Sequence, residues 1–540
     1  MRRSYKNPPA NKHNFSEVPN VQMQRSAFKR SHTHKTTMNS GYLIPVMVDE
    51  ALPGDTFRVN LTSIARLATP IVPIMDNIYM DYFFFAVPNR LVWENWQKFM
   101  GERPDPDDDT DYTVPIMTAH TPAALSLSDY FGLPVAAGNV THMSLYHRAY
   151  NLIYNEWFRD QNLQDSVVVD VDDGPDSIAD YVLLKRGKRH DYFTSCLPWP
   201  AKNGDQVDLP LGTSAPVIGD GNAMGLDFGG TKIGMYYNSA LGLMGGGDHA
   251  DNAVGTITGT SGTLPTNNMA IGLHDNAATS HVYADLSSAT AATINSLREA
   301  FQLQRMLERD ARGGTRYVEI IKSHFGVTSP DFRLQRPEYL GGGTRPVNIQ
   351  VVPQTSQTAT TPQGTLTGVG YQQSTGISFS KSFVEHSIIM CLVNIRADLT
   401  YQTGLNRLWS RSTKYDYFWP ALAHLGEQTV LNKEIFHQGT GDDALVFGYQ
   451  ERWAEYRYKP SLITGQLRSN HATSLDVWHL SQDFGVTLPV LDTDFIEENP
   501  PIDRIIATTN EPEFIFDGYF DMVTTRPMPT YSVPGLIDHF

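Results

Sequence analysis

His190, Asp191 and Cys196 fall within one short stretch, "HDYFTSCLPWPAKNGD" (190–205). A thiol, an imidazole and a carboxylate are the parts of a cysteine nucleophile with its base and orienter, provided the ring reaches the sulfur. Such triads are usually assembled from distant segments, so nearness along the chain argues little for one. The sulfur also sits in "TSCLPWP", among apolar residues. Free cysteine is among the most buried residue types. These residues therefore predict a packed, unreactive Cys196.

The remaining chemical motifs are weaker. "DVDDGPD" (170–176) resembles a calcium loop, but its glycine is fifth from Asp170 and the twelfth position is Tyr181. Calcium loops place glycine sixth and glutamate twelfth. Asp107–Asp109 reads as a solvated acidic loop. "GGT" (313–315) and "GGGT" (341–344) lack the Lys-Ser/Thr of a phosphate loop. There is no H-E-x-x-H, no paired C-x-x-C and no G-x-S-x-G. No catalytic residue, metal ligand or cofactor is expected.

The elements that would position a site read as mainly β. The chain has 540 residues, 41% apolar and only 19% charged, with 33 prolines and 42 glycines. Its 25 Tyr, 25 Phe and 8 Trp suit a turn-rich β protein. "DTFRVNLTSIARL" (55–67) and "NIYMDYFFFAVPNRLVW" (77–93) read as buried strands. "FVEHSIIMCLVNIRADLTY" (383–401) reads as a strand pair or one long strand. Helical spacing marks 91–101, 144–160, 294–314 and 315–326, with Ser296 and Glu299 as a capping box. No apolar run reaches the ~18 residues of a membrane span. The first 15 residues make a poor secretion signal. Two cysteines, Cys196 and Cys391, cannot form a disulfide framework, so a reducing compartment is expected.

Charge is unevenly spread. Arg2, Arg3, Lys6, Lys12, Arg25, Lys29, Arg30 and Lys35 face one acid, Glu17, within residues 1–36, a net +7 in a chain of net −16. An extended basic arm (1–40) on an acidic body points to a polyanion, and these eight bases are the candidate nucleic-acid contacts. Residues 203–290 hold 16 glycines and one cation, Lys232. They read as a loop-rich insertion in a body spanning 41–540.

"DYFTSCLPWP" resembles the hallmark of the major capsid proteins of the Microviridae, most closely the gokushovirus branch. "IVPIMDNIYMDYFFFAVPNRLVWENWQKFMGE" (71–102), "LREAFQLQRMLERDARGGTRYVEIIKSHFGV" (297–327), "RPEYLGGGTRPVNIQ" (336–350), "VFGYQERWAEYRYKPS" (446–461) and "RPMPTYSVPGLIDHF" (526–540) resemble that family in the same order. The resemblance implies one eight-stranded antiparallel jelly roll with long loop and helical insertions. It implies sixty copies in a T=1 icosahedral shell around circular single-stranded DNA. The variable insertion, 205–290 here, would rise as a threefold protrusion used in host attachment. The implied partners are other copies of the chain, an internal scaffolding protein, a small basic DNA-binding protein, a minor pilot protein and a host receptor. The setting would be the virion, assembled in a bacterial cytoplasm.

Two other function classes stand beside this one. A secreted β-rich carbohydrate-active enzyme would need a paired set of carboxylates, and no spacing singles out one pair among 58 acids. A nucleic-acid-binding module led by the basic arm is partly contained in the capsid reading.

Overall fold

A computed structural model of the chain describes residues 24–531, except 136–137, 332, 334 and the stretch 203–293 outside five short strands. Arg2, Arg3, Lys6 and Lys12 lie outside the described residues. Contacts divide the chain into two units, Met1–Gly204 with Glu308–Phe540, and Asp205–Leu307.

The first unit is built on nine strands: β1 (Ser26–Lys29), β2 (His32–Met38), β3 (Ile44–Ala51), β4 (Thr56–Leu67), β5 (Ile78–Pro88), β6 (Glu338–Pro353), β7 (Leu366–Ser382), β8 (Ser387–Ala397) and β9 (Phe514–Arg526). Their order is β1 and β2 end to end along one edge of β9, then β4, β7, β6, β5, β8 and β3, with every pairing antiparallel. Eight strands lie on this path and β2 pairs with β9 off it, making a nine-stranded sheet where eight strands were expected.

β6 joins the two halves. Glu338–Val347 pairs with β5, whereas Asn348–Pro353 pairs with β7. The sheet thereby curls around one core, to which β3, β4, β5, β7, β8 and β9 all contribute. Phe84 meets Phe379 at 5.0 Å across it. Tyr82 also crosses, its hydroxyl 2.6 Å from Ser63 Oγ and 3.0 Å from Gln372 Oε1. Burial pushes that phenol up to about 12.

Alternation decides what each strand faces. In β4, Phe57, Val59, Leu61, Ala65 and Leu67 are buried while Arg58, Ile64 and Arg66 are exposed. β8 is buried along its whole length because both faces are covered. Ile389, Cys391, Val393 and Ile395 point into the curled core. Ile388, Met390 and Leu392 point into a second apolar layer with Trp93, Tyr150 and Ile153. Residues 383–401 are therefore one long strand followed by a two-residue strand, Thr400–Tyr401.

Helical expectations hold in part. The 144–160 segment is α-helical over Leu145–Ile153 and then widens into a π-turn at Tyr154–Phe158. Within 91–101 only Trp96–Phe99 is α-helical. The 294–314 helix runs Ile294–Gly313, so Ser296 lies inside its first turn and does not cap it. Tyr317–Phe325 follows and ends at Gly326, φ +70°. Among the described residues no helix is long and apolar enough to cross a membrane.

In the second unit, Thr231–Asn238 pairs with Gly225–Phe228 and Leu243–Gly246, and Val217–Gly219 pairs with Val282–Ala284. The glycine-rich insertion, expected as loop-rich, thus contains short strands among its described residues.

Candidate functional site

Cys196 is closed off from chemistry. Its side chain is 3% exposed, packed with Tyr192, Phe193, Tyr401 and Phe447. Its thiol donates to the Tyr192 carbonyl at 3.3 Å, and burial pushes it well above the usual thiol range. His190 is exposed. Asp191 serves the backbone, accepting from Phe193 N at 2.9 Å and Thr194 N at 2.8 Å, and from the Tyr401 hydroxyl at 2.6 Å. Leu197 exchanges backbone hydrogen bonds with Tyr449 at 2.9 and 2.8 Å. The residue facing this turn is Gly448, where a Cβ would come 2.8 Å from that of Cys196. The segment is a fixed structural turn.

The acidic loop 170–176 holds a guanidinium. Arg148, fully buried on the Leu145–Ile153 helix, donates to both Asp176 oxygens and to the Val92 and Asp172 carbonyls at 3.0 and 2.8 Å. Asp173 takes the Trp93 indole N–H at 2.7 Å. The carboxylates that resembled calcium ligands bind protein cations and donors. Among the described residues no group of three His, Cys, Asp or Glu is placed to hold a metal. A cavity of about 530 Å3 is lined by Tyr42, His120, Ser128, Tyr130 and Tyr181 with apolar neighbours, and no carboxylate lines it.

The described bases of the arm separate into two kinds. Arg30 is held bidentately by Asp49, at 3.0 and 2.8 Å, and Lys35 is paired with Asp517. Arg25 donates to Thr56 Oγ1 at 2.6 Å. Lys29 is exposed at the sheet edge opposite Val523. The arm was expected to be extended to residue 40; within it, β1 and β2 are laid along β9.

One surface went unmarked in the sequence reading. Tyr417, Phe418, Trp419, Tyr456 and Tyr458 are each about half exposed, and Trp409 is 82% exposed. Phe418 stacks edge-on to Tyr456 at 6.4 Å and to buried Trp453 at 5.8 Å. The Arg411 guanidinium lies 4.9 Å from the Tyr417 ring and 4.5 Å from that of Tyr456. Aromatic side chains gathered in solvent in this way are enriched at protein contact surfaces. The signal was available as "KYDYFWPAL" (414–422), too aromatic for an ordinary solvent loop.

A family model described as "Capsid protein (F protein)" matches residues 16–536. The chain belongs to this capsid protein family. It is 49% identical to the capsid protein VP1 of Bdellovibrio phage phiMH2K, over 98% of this chain and 99% of that one. It is 42% identical to the capsid protein VP1 of Chlamydia phage 1, over 99% and 100% of the two chains. Identity to the capsid protein VP1 of Spiroplasma virus 4 is 37%, over 97% of each. The resemblance to microvirus capsid proteins of the gokushovirus branch is borne out. The chain is a structural, non-enzymatic capsid protein and a virion component, and the carbohydrate-enzyme reading is set aside. The curled antiparallel sheet fits the jelly roll of such shells.

Proposed function

We propose that this capsid protein builds a T=1 shell of sixty copies around a circular single-stranded DNA. The observation that supports the reading best is the aromatic patch of Tyr417, Phe418, Trp419 and Tyr456, which a lone chain leaves in water. Neighbouring copies would cover it. The low charged share of 19% agrees, since the cores of permanent interfaces lose charged residues.

The basic arm, with Arg2, Arg3, Lys6, Lys12, Arg25 and Lys29, would meet the genome's phosphates without sequence preference. Arg30 and Lys35, candidates on charge alone, each already have a carboxylate partner. Sixty arms of +7 supply about 420 charges, too few for a genome of several thousand phosphates, so counterions or a small basic protein complete the balance. An internal scaffolding protein and a minor pilot protein complete the expected partners. The insertion 205–290 is proposed as the threefold protrusion and the surface offered to a host receptor. Its apolar clusters "AMGLDF" (223–228), "IGMYYNSALGLM" (233–244) and "MAIGL" (269–273) would be buried together by three copies.

Electron microscopy of the purified protein with its scaffold tests this reading. Closed shells support it; protein that stays monomeric under every assembly condition overturns it.

A further inference from the structure

The two halves of the curled sheet are treated differently. The half with β5 and β8 is covered on its outer side by the second apolar layer. The half with β9, β4 and β7 has an outer face on which Arg58, Ile64, Arg66, Gln373, Ser378, Ser380, Ile515 and Tyr519 are all exposed.

Register places these side chains in rows. Lys29, Val523, Arg58 and Ser380 share one row across β1, β9, β4 and β7. Tyr519 stands opposite Thr62, near the middle of the face. Ile515, Arg66 and Tyr371 share a row towards the other end. Arg58 and Arg66 are eight residues apart on β4, which is ~27 Å at ~3.4 Å per residue. Between them the face carries mostly hydroxyls and carboxamides, from Asn60, Thr62, Gln373 and Ser378.

The charge on this face runs against that of the chain. Lys29, Lys35, Arg58 and Arg66 face only Asp517 and Asp521, whereas the whole chain is −16. Asp517 is neutralised by Lys35, and Asp521 accepts from Ser31 Oγ at 2.9 Å. Arg25, donating to Thr56 and to the Thr525 carbonyl, seats the start of β1 at the edge of the same face. The 24 residues before it in sequence hold four more bases.

We propose that this open face is a binding surface for single-stranded nucleic acid, with Lys29, Arg58 and Arg66 contacting phosphates and Tyr519 stacking on a base. Cations spaced along a groove or face, interleaved with an aromatic platform and hydrogen-bonding side chains, hold a single strand without reading its sequence. The positive charge of the face complements the evenly spaced phosphates of a polyanion. The proposal rests on the reading that the shell encloses single-stranded DNA, and it names where on the folded body, beyond the arm, that DNA is held.

The test uses the full-length protein and a fluorescein-labelled oligo(dT), followed by anisotropy across a salt series. Lys29→Ser/Arg58→Ser/Arg66→Ser should weaken binding at least tenfold at low salt. It should also flatten the dependence of log affinity on log salt by about two units, from ~0.7 per lost phosphate contact on a single strand. Tyr519→Ala should weaken binding at least fivefold and leave the slope unchanged. All four side chains are solvent-facing, so thermal melts should match the parent. A bromodeoxyuridine oligonucleotide should photo-crosslink to the peptide containing Tyr519. If the triple variant binds like the parent while deletion of residues 2–23 abolishes binding, the arm alone holds DNA and the face proposal falls. If the triple variant binds DNA normally but no longer self-associates, the face is a contact between copies, and the proposal falls likewise. A parent protein with no affinity for oligo(dT) would instead overturn the underlying DNA reading.

Discussion

Arg148 and Asp176 form a two-pronged ion pair with neither side chain exposed, Nε to Oδ2 at 2.6 Å and Nη2 to Oδ1 at 2.5 Å. The pair ties the Leu145–Ile153 helix to the acidic loop that the sequence offered as a metal site. Arg148→Met would leave Asp176 buried without its partner, a loss of about 3–5 kcal/mol for breaking such a pair from one side. Urea unfolding of the unassembled protein should show a matching drop in midpoint. Arg148→Lys should keep the charge, lose the fork and fall between the two. A midpoint unchanged in Arg148→Met would contradict the role given to this pair.

Both cysteines should resist thiol reagents in the native protein. Cys391 is fully buried between strands and Cys196 nearly so, and burial raises both thiols. Ellman's reagent should titrate neither in native protein and both after denaturation. Cys196→Ser should keep a hydrogen bond to the Tyr192 carbonyl and cost about 1–2 kcal/mol, with assembly intact. A hydrolytic activity lost in this variant would reverse the structural reading.

Acid should weaken the subunit through its histidines. His147 and His120 both bond to Ser128 Oγ, at 3.0 and 2.9 Å, and the His142 ring lies within 5.5 Å of each. Burial first, then the charges of His142 and His120, holds His147 down at about 3, against a small opposing pull from Asp176. Burial and His142 also lower His120. The unfolded chain takes up these protons near pH 6.5 while the folded one excludes them. Stability should therefore be complete above about pH 6.5 and fall as pH drops towards 3, by at most about 1.4 kcal/mol per pH unit for each histidine. His147→Gln should flatten that slope between pH 6.5 and 5. An unchanged slope would show that other groups carry the acid response.

Much of the fold was legible because it rests on local patterning. β4 and β5 announced themselves by aromatic and β-branched residues bounded by proline, and the buried face of Leu145–Ile153 by helical spacing. What stayed hidden depends on partners far along the chain. "HTHKTTM" (32–38) has no apolar period and becomes β2 only because β9, nearly 500 residues away, offers it a pairing edge. "GGGT" (341–344) carries three glycines, a residue depleted in strands, yet it lies within β6, where a Cβ on Gly342 would come 2.1 Å from the Tyr82 carbonyl oxygen. Of the site residues, Cys196 was read correctly as packing from its apolar neighbours. The pairing of Arg30 with Asp49 and of Lys35 with Asp517 needed the folded register.

The insertion carries its own expectation. Replacing 215–285 by a short Gly/Ser linker should leave shells that assemble but attach poorly to host cells. Adsorption counts against unmodified particles measure this, and normal attachment would remove the receptor role.

The central claim is that copies of this chain close into a T=1 shell, and reconstruction of assembled particles with the subunit traced tests it most directly. Sixty subunits should appear, with Tyr417, Phe418, Trp419 and Tyr456 covered by a neighbouring copy. A closed particle that leaves this aromatic patch in solvent, or an assembly of another subunit number, would contradict the account.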